Sequence, residues 1–130
     1  MDLLITGTYV SWLALLFFVL TVIVIKQRRA GAVSLGDNNI DVLQKAIRAH
    51  GNFAEYVPIC LLLMAVAEVN TNIGAYLHIA GGILVLGRIL HAYGLIKASG
   101  ASKPRVYGML CTFGVMIGLA CWNLFAILTH

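Results

Sequence analysis

The polar residues that could carry chemistry fall into two short helical patterns. Arg48, Asn52 and Glu55 are spaced at i, i+4 and i+7, which places them along one stripe of a helix. Arg88 and His91 are spaced at i and i+3 and share a helix face in the same way. A guanidinium, an amide and a carboxylate on one stripe suit a polar ligand that is bound through charge and hydrogen bonds. A purely structural ion pair would need no amide and no additional cations.

These residues lie in a chain that is too apolar for a soluble domain. Of its 130 residues, 61% are hydrophobic and 11% are charged, against about a quarter charged in a typical soluble domain. Residues 3–25 and 106–130 carry no charged side chain, and each run exceeds the roughly 20 residues that cross a bilayer. Two further apolar segments cover residues 53–69 and 73–96. The sequence therefore predicts an all-α integral membrane protein, a four-helix bundle of up-down topology in a single domain, 1–130.

Turn signals between the apolar segments indicate where the helices begin and end. We predict helices at about 3–26, 41–69, 73–97 and 104–129. The run GDNN at 36–39 indicates a turn, and Asp41 with Gln44 resembles a capping box at the start of the second helix. Gly114 and Gly118 form a small-x-x-x-small pattern, which predicts a close helix contact.

The distribution of lysine and arginine orients the chain. These residues occur at the end of the first helix, the start of the second, the end of the third and the start of the fourth, whereas both termini and the middle link carry none. Basic segments stay on the cytoplasmic side of a membrane, so we expect both termini to face away from the cytoplasm. The net charge of +4 does not indicate nucleic acid binding, because no basic domain lies outside the spans.

Arg88 needs a partner because it lies well inside its span. It precedes the end of that span by about eight residues, or roughly 12 Å, and a charged side chain near the bilayer centre costs on the order of 3 kcal/mol. We therefore expect Arg88 and Glu55 to point into the protein and to form an ion pair. This pair could be structural and set the register of two helices, or it could belong to a ligand site.

The predicted topology brings a surplus of positive charge to one membrane face. Glu55 is the embedded carboxylate there, whereas four arginines are expected near it: Arg28, Arg48, Arg88 and Arg105. The surplus predicts a pocket for an anion. A ligand with two carboxylates and an amine would match both signs of charge, and glutathione is such a molecule.

A longer motif around these residues is similar to that of a known family. Residues 48–58, RAHGNFAEYVP, resemble the signature of the MAPEG family, the membrane-associated proteins of eicosanoid and glutathione metabolism. The similarity continues through VSLGD at 33–37, Glu68, GRILHAYG at 87–94 and RVYGML at 105–110. It covers most of the chain and is closest in character to the short bacterial members.

The resemblance implies a four-helix protomer that assembles as a homotrimer and binds glutathione between neighbouring subunits near the cytoplasmic face. It assigns the glutathione contacts to Arg28, Arg48, Asn52, Glu55, Tyr56 and His91. Arg105 resembles the arginine credited with activating the thiol, which makes it the expected catalytic residue. No spacing of histidine and acidic residues demands a metal ion.

These expectations lead to a glutathione-dependent transferase or peroxidase in a bacterial inner membrane, acting on a lipophilic electrophile or a lipid hydroperoxide. Where eicosanoid-making members place a tyrosine four residues after His91, this chain has Leu95, which argues against a specialised prostaglandin or leukotriene activity. Two alternatives stay open: a non-enzymatic lipid-binding protein of the same fold, and a small proton-coupled exporter. Such exporters carry their membrane glutamate in the first helix, whereas Glu55 lies in the second.

Overall fold

Four long helices make up the protein. In the computed structural model, which describes residues 2–98 and 100–129, α1 is Leu4–Gly31, α2 is Asp41–Asn70, α3 is Gly74–Lys97 and α4 is Lys103–Leu128. Each helix contains an apolar stretch long enough to cross a membrane, and the described residues contain no strand. The predicted all-α class is confirmed, and the chain is an integral multi-pass membrane protein.

The core lies along α2 and α3. α2 packs against the other three helices, and α3 also packs against α1 and α4. The buried side of α2 is a stripe of residues three or four apart: Ala49, Phe53, Val57, Cys60, Met64 and Ala67. The outer helix surfaces expose large apolar side chains such as Trp12, Phe18 and Leu86. Apolar side chains therefore form both the core and the outer surface, as expected for helices whose outer faces meet lipid.

α1 extends further than predicted and ends at Gly31 rather than at about residue 26. The basic segment expected to form a link therefore continues the helix, so Arg28 is a helical residue. The helix stops because Ala32 adopts a left-handed conformation, with φ of 53°. The N–H groups of Ala32 and Val33 then donate to the carbonyl oxygens of Arg29 and Arg28, at 3.3 and 2.9 Å.

The start of α2 has the predicted turn but lacks the predicted capping box. Asp37 Oδ1 accepts a 2.9 Å hydrogen bond from the Asn39 N–H, and the turn contains residues with positive φ. Asp41 is the first residue of α2 instead of its cap, and no side chain among residues 2–98 and 100–129 caps this helix. The Asp41 carboxylate pairs with Lys45 one turn later, at 2.6 Å. The Asp41 carboxylate therefore forms a local ion pair and does not cap the helix.

Glu68 attaches the end of α2 to the start of α1. Its Oε1 accepts a 2.8 Å hydrogen bond from the Ile5 N–H, and its Oε2 accepts a 2.7 Å bond from the Thr6 N–H. Both N–H groups lie in the first turn of α1, where a helix has no internal acceptor for them. The carboxylate also lies at the positive end of the α1 dipole. This contact therefore stabilises the end of the bundle that lacks basic residues.

Candidate functional site

One cavity collects side chains from three helices. It has a volume of about 230 Å³ and lies between the start of α2, the end of α3 and the start of α4; we call it the basic cavity. Its lining consists of Asp41, Gln44, Lys45, Arg48, Asn52, His91, Leu95, Ala98 and Arg105. Four of the predicted site residues are thereby brought together: Arg48, Asn52, His91 and Arg105.

Cations outnumber carboxylates in the lining of the basic cavity. Lys45, Arg48 and Arg105 are positively charged, and Asp41 is the carboxylate that faces them. Arg48 Nη1 also lies 3.7 Å from Oε1 of Glu55, but these side chains are 61% and 53% exposed. An exposed pair of this kind contributes at most about 1 kcal/mol in water. The Arg48 guanidinium can therefore exchange this partner for an anionic ligand at little cost.

His91 connects the end of α3 to the start of α4. The side chain is 2% exposed, and its Nδ1 lies 3.0 Å from the carbonyl oxygen of Arg105. A carbonyl oxygen only accepts, so Nδ1 carries the proton in this contact. In the neutral ring Nε2 is then an acceptor, and it has no hydrogen-bond partner among the described residues. His91 thus holds the first turn of α4, and its side chain forms part of the wall of the basic cavity.

Glycines allow α3 and α4 to approach closely enough for this contact. A methyl group on Gly94 would overlap the backbone of Arg105. A methyl group on Gly108 would overlap the carbonyl oxygen of Gly87 and the backbone of His91. The basic cavity therefore depends on glycines that the sequence reasoning did not single out.

Comparison with known proteins decides the family. The model of the MAPEG family matches residues 6–125. The chain belongs to the MAPEG family. Two relatives are each 37% identical over 120 residues, which is 92% of this chain and 90% of theirs: the inner membrane proteins YecN of Escherichia coli K12 and of Escherichia coli O6:H1 strain CFT073. The resemblance inferred from the motifs is confirmed.

In this MAPEG protein the predicted ion pair between Arg88 and Glu55 does not occur among the described residues. Arg88 is fully buried; its Nη2 donates to Asn52 Oδ1 at 2.7 Å, and its Nη1 donates to Thr112 Oγ1 at 3.5 Å. Its guanidinium carbon lies 5.6 Å from the centre of the Phe53 ring. Glu55 does not reach Arg88 because it lies about 60° around α2 from Asn52, on the exposed surface.

Arg28 and Tyr56 lie outside the basic cavity. Arg28 Nη1 donates to the carbonyl oxygen of Gly36 at 2.7 Å, in the loop that follows α1. The Tyr56 ring packs edge-on against Phe113 of α4, with ring centroids 5.6 Å apart. The cavity of this chain therefore leaves out three of the predicted glutathione residues: Arg28, Glu55 and Tyr56.

The sequence reasoning missed three residues at the start of α2 that line the basic cavity: Asp41, Gln44 and Lys45. They precede Arg48 by seven, four and three positions, so they continue its stripe, and the same helical periodicity would have found them. Leu95 also lies on the cavity wall, 8% exposed, where it offers no hydroxyl group. Within 2–98 and 100–129, no three His, Cys, Asp or Glu side chains cluster in a way that could hold a metal ion.

A larger apolar cavity lies between α3 and α4, away from the charged residues. Its volume is about 610 Å³, and its wall includes Ile79, Ile83, Gly114, Gly118 and Trp122. The close helix contact predicted at Gly114 and Gly118 does not form within the described residues, because a methyl group at either position meets none of their atoms within 4 Å. The two glycines instead leave room on the surface of α4.

Proposed function

We propose that this MAPEG protein is a membrane-bound, glutathione-dependent transferase or peroxidase that acts on lipophilic electrophiles or lipid hydroperoxides. The observation that carries the proposal is the basic cavity, where Arg48, Asn52, His91 and Arg105 meet. Glutathione has two carboxylates and an ammonium group. A lining with excess cations and one carboxylate supplies partners of both signs.

Arg105 is assigned the stabilisation of the thiolate. The thiolate, rather than the thiol, is the nucleophile, and a neighbouring cation raises its fraction at neutral pH. A hydrogen bond to a charged group contributes about 1.5–3 kcal/mol, which corresponds to a roughly tenfold to hundredfold rise in the thiolate-to-thiol ratio. The released proton passes to water. His91 supports this role by holding the backbone of Arg105 through its Nδ1.

The sulfur of the thiolate then attacks an acceptor that partitions into the bilayer. In conjugation, a sulfur–carbon bond forms and the leaving group departs with its bonding electrons. In peroxide reduction, sulfur bonds to the terminal oxygen, the O–O bond breaks and the alkoxide takes up a proton to leave as an alcohol. A second glutathione thiolate then attacks the oxidised sulfur and forms the disulfide, and hydroxide leaves and is protonated to water. The protein contributes positioning and charge to both reactions.

A homotrimer in the inner membrane completes the proposal. Arg28, Glu55 and Tyr56 lie outside the cavity of one protomer, so a ligand that lies between subunits would let a neighbour contribute them. The Escherichia coli relatives are named inner membrane proteins. We place this protein in the same kind of membrane with up-down helices and with its basic end toward the cytoplasm, because basic segments stay on that side. Both termini then face away from the cytoplasm, and cytosolic glutathione reaches the cavity.

Calorimetric titration of the purified protein in lipid nanodiscs with glutathione tests the proposal. Wild type should bind, and Arg48→Ala should weaken binding about tenfold or more, because a charged hydrogen bond is lost. Lys103→Ala is the matched control, since this exposed residue at the start of α4 lies outside the cavity lining. Absence of binding by wild type, together with no conjugation of chlorodinitrobenzene, would contradict the proposal.

The apolar cavity between α3 and α4 favours one second candidate, a non-enzymatic lipid-binding protein of the same fold. Its volume of about 610 Å³ and its apolar wall suit an acyl chain. Extraction of the purified protein followed by lipid mass spectrometry distinguishes the two functions. A retained fatty acid in a protein that binds no glutathione would favour lipid binding, whereas glutathione binding and conjugation would favour the enzyme.

A further inference from the structure

A second basic cavity lies at the end of α1. It has a volume of about 330 Å³ and is lined by Ile25, Arg28, Arg29, Ala32, Val33 and Ser34; we call it the α1 groove. None of these residues lines the basic cavity. The α1 groove combines two guanidinium groups and a hydroxyl group with apolar side chains, so it offers both a charged and an apolar surface to one ligand.

Hydrogen bonds hold the shape of the α1 groove. The loop after α1 folds back, because Arg28 Nη1 donates to the carbonyl oxygen of Gly36 at 2.7 Å. The Val33 N–H donates to the carbonyl oxygen of Arg28 at 2.9 Å, and the Val33 side chain is buried. Ala32 and Gly36 both have positive φ, at 53° and 70°, which makes this tight reversal possible. The loop is therefore shaped before any ligand arrives.

The length of α1 puts the groove at the depth of lipid headgroups. The uncharged residues 3–25 span roughly 34 Å as a helix, which covers a hydrocarbon core about 30 Å thick. Arg28 and Arg29 follow about 5 Å further along the helix. The headgroup region adds roughly 5–8 Å on each side of the core, so the two guanidinium groups lie where phosphate groups are found.

The side chains beside the groove fit the same location. Leu35 is 89% exposed although it is a large apolar residue, and it follows Ser34 directly. Lys26 and Arg29 are exposed nearby on α1. Asp37 is the acidic residue of this loop, and its Oδ1 already accepts the Asn39 N–H. An exposed leucine among cations is typical of a segment that inserts an apolar side chain into the membrane interface.

We propose that the α1 groove binds the headgroup of an anionic phospholipid. Arg29 contacts the phosphate, the Ser34 hydroxyl donates to it, and Leu35 lies beside the acyl chains, while Arg28 shapes the groove through its bond to Gly36. The groove matches the charge of such a lipid, and its depth matches the position of the headgroup. This proposal does not depend on glutathione chemistry, and it needs no lipid contact from Arg28, which the proposed function assigns to a ligand between subunits.

Native mass spectrometry of the full chain, titrated with phosphatidylglycerol or with phosphatidylcholine, tests this site. Wild type should bind phosphatidylglycerol more tightly than phosphatidylcholine. Arg29→Gln should weaken that binding about fivefold, as expected for one charge near a membrane surface, and should weaken phosphatidylcholine binding less, because the choline ammonium already neutralises that phosphate. Leu35→Ser should also weaken phosphatidylglycerol binding although it changes no charge. Lys97→Gln is the matched control, because Lys97 is exposed at the end of α3 and lies outside the groove.

Three results would overturn the proposal. An equal loss of affinity in Arg29→Gln and Lys97→Gln would mean a diffuse attraction instead of a site. Competition by soluble glycerol phosphate as effective as that by phosphatidylglycerol would mean a phosphate site without a lipid requirement. Wild-type affinity in Leu35→Ser would remove the apolar contact. Helix content measured by circular dichroism verifies that each variant is folded.

Discussion

Arg88 Nη2 donates a 2.7 Å hydrogen bond to Asn52 Oδ1, which joins a fully buried guanidinium on α3 to an amide that lines the basic cavity on α2. Arg88 Nε has no hydrogen-bond partner in the described part of the chain, so the charge depends strongly on Asn52. Because Oδ1 of Asn52 is occupied, its Nδ2 group is the part that can donate to a ligand. A single amide thus connects the core to the proposed glutathione site.

Asn52→Ala should lower the free energy of unfolding by about 1–2 kcal/mol, because a buried cation loses its shortest hydrogen bond. Asn70→Ala is the matched control: Asn70 is exposed at the end of the same helix and donates to the Val66 carbonyl oxygen. This control substitution should change the free energy of unfolding by no more than about 0.5 kcal/mol. Unfolding by sodium dodecyl sulfate, followed by circular dichroism, measures both. Equal losses in the two variants would mean that the Arg88 contact adds nothing specific.

Asn52→Asp separates the structural role of this residue from its binding role. A carboxylate can still accept the Arg88 hydrogen bond, so the free energy of unfolding should stay near that of wild type. Glutathione affinity should nevertheless fall, because the amide donor is lost and a negative charge enters the basic cavity. Calorimetry and unfolding on the same preparation give the two quantities. If the free energy of unfolding and the glutathione affinity fell together, the two roles of Asn52 would not be separable.

Glu68→Gln should destabilise the bundle by about 1–2 kcal/mol, because the amide keeps one acceptor for the two N–H groups of Ile5 and Thr6. Hydrogen exchange should accelerate at those two amides. Glu55→Gln provides the comparison, since Glu55 is 53% exposed and its contact with Arg48 is long, at 3.7 Å. Its unfolding free energy should change by less than about 0.5 kcal/mol. If hydrogen exchange at the Ile5 and Thr6 amides were unchanged in Glu68→Gln, Glu68 would not hold the first turn of α1.

Gly108→Ala should destabilise the protein by about 1–3 kcal/mol, because the new methyl group overlaps the backbone of α3. Gly114→Ala in the same helix meets nothing within 4 Å. It should be neutral or stabilising by up to about 1 kcal/mol, since alanine is the better helix former. Unfolding in sodium dodecyl sulfate compares the pair. Similar behaviour of the two variants would show that α3 and α4 are not in close contact at Gly108.

Under the proposed function, Arg105→Ala should remove most of the thiolate absorbance that appears when glutathione is mixed with the protein. Loss of one charged hydrogen bond reduces the thiolate-to-thiol ratio roughly tenfold to hundredfold. Arg105→Lys should recover part of the signal, because it keeps the charge without the planar donor group. Stopped-flow ultraviolet absorbance provides the measurement, with Lys103→Ala as the control. A full thiolate signal in Arg105→Ala would exclude Arg105 from the assigned role.

The four apolar helices could be predicted because a bilayer requires long uncharged runs, and such runs are visible in a linear sequence. For the same reason, the predicted first and last residues of α2 to α4 lie within one residue of those in the structure. Two local details differed. α1 continues to Gly31, because its basic residues are good helix formers, and Asp41 pairs with Lys45 instead of capping α2. Local side-chain choices of this kind involve about 1 kcal/mol or less, so pattern alone does not settle them.

The sequence by itself determined which residues gather at one end of the bundle, because charged groups must lie beyond the hydrocarbon core wherever they can. Arg48, Asn52, His91 and Arg105 were found in this way. Only the tertiary structure decided that Arg88 contacts Asn52 instead of Glu55. The rotation of each helix about its axis depends on how close its neighbours can come, and glycines such as Gly94 and Gly108 set that approach through contacts between residues distant in sequence.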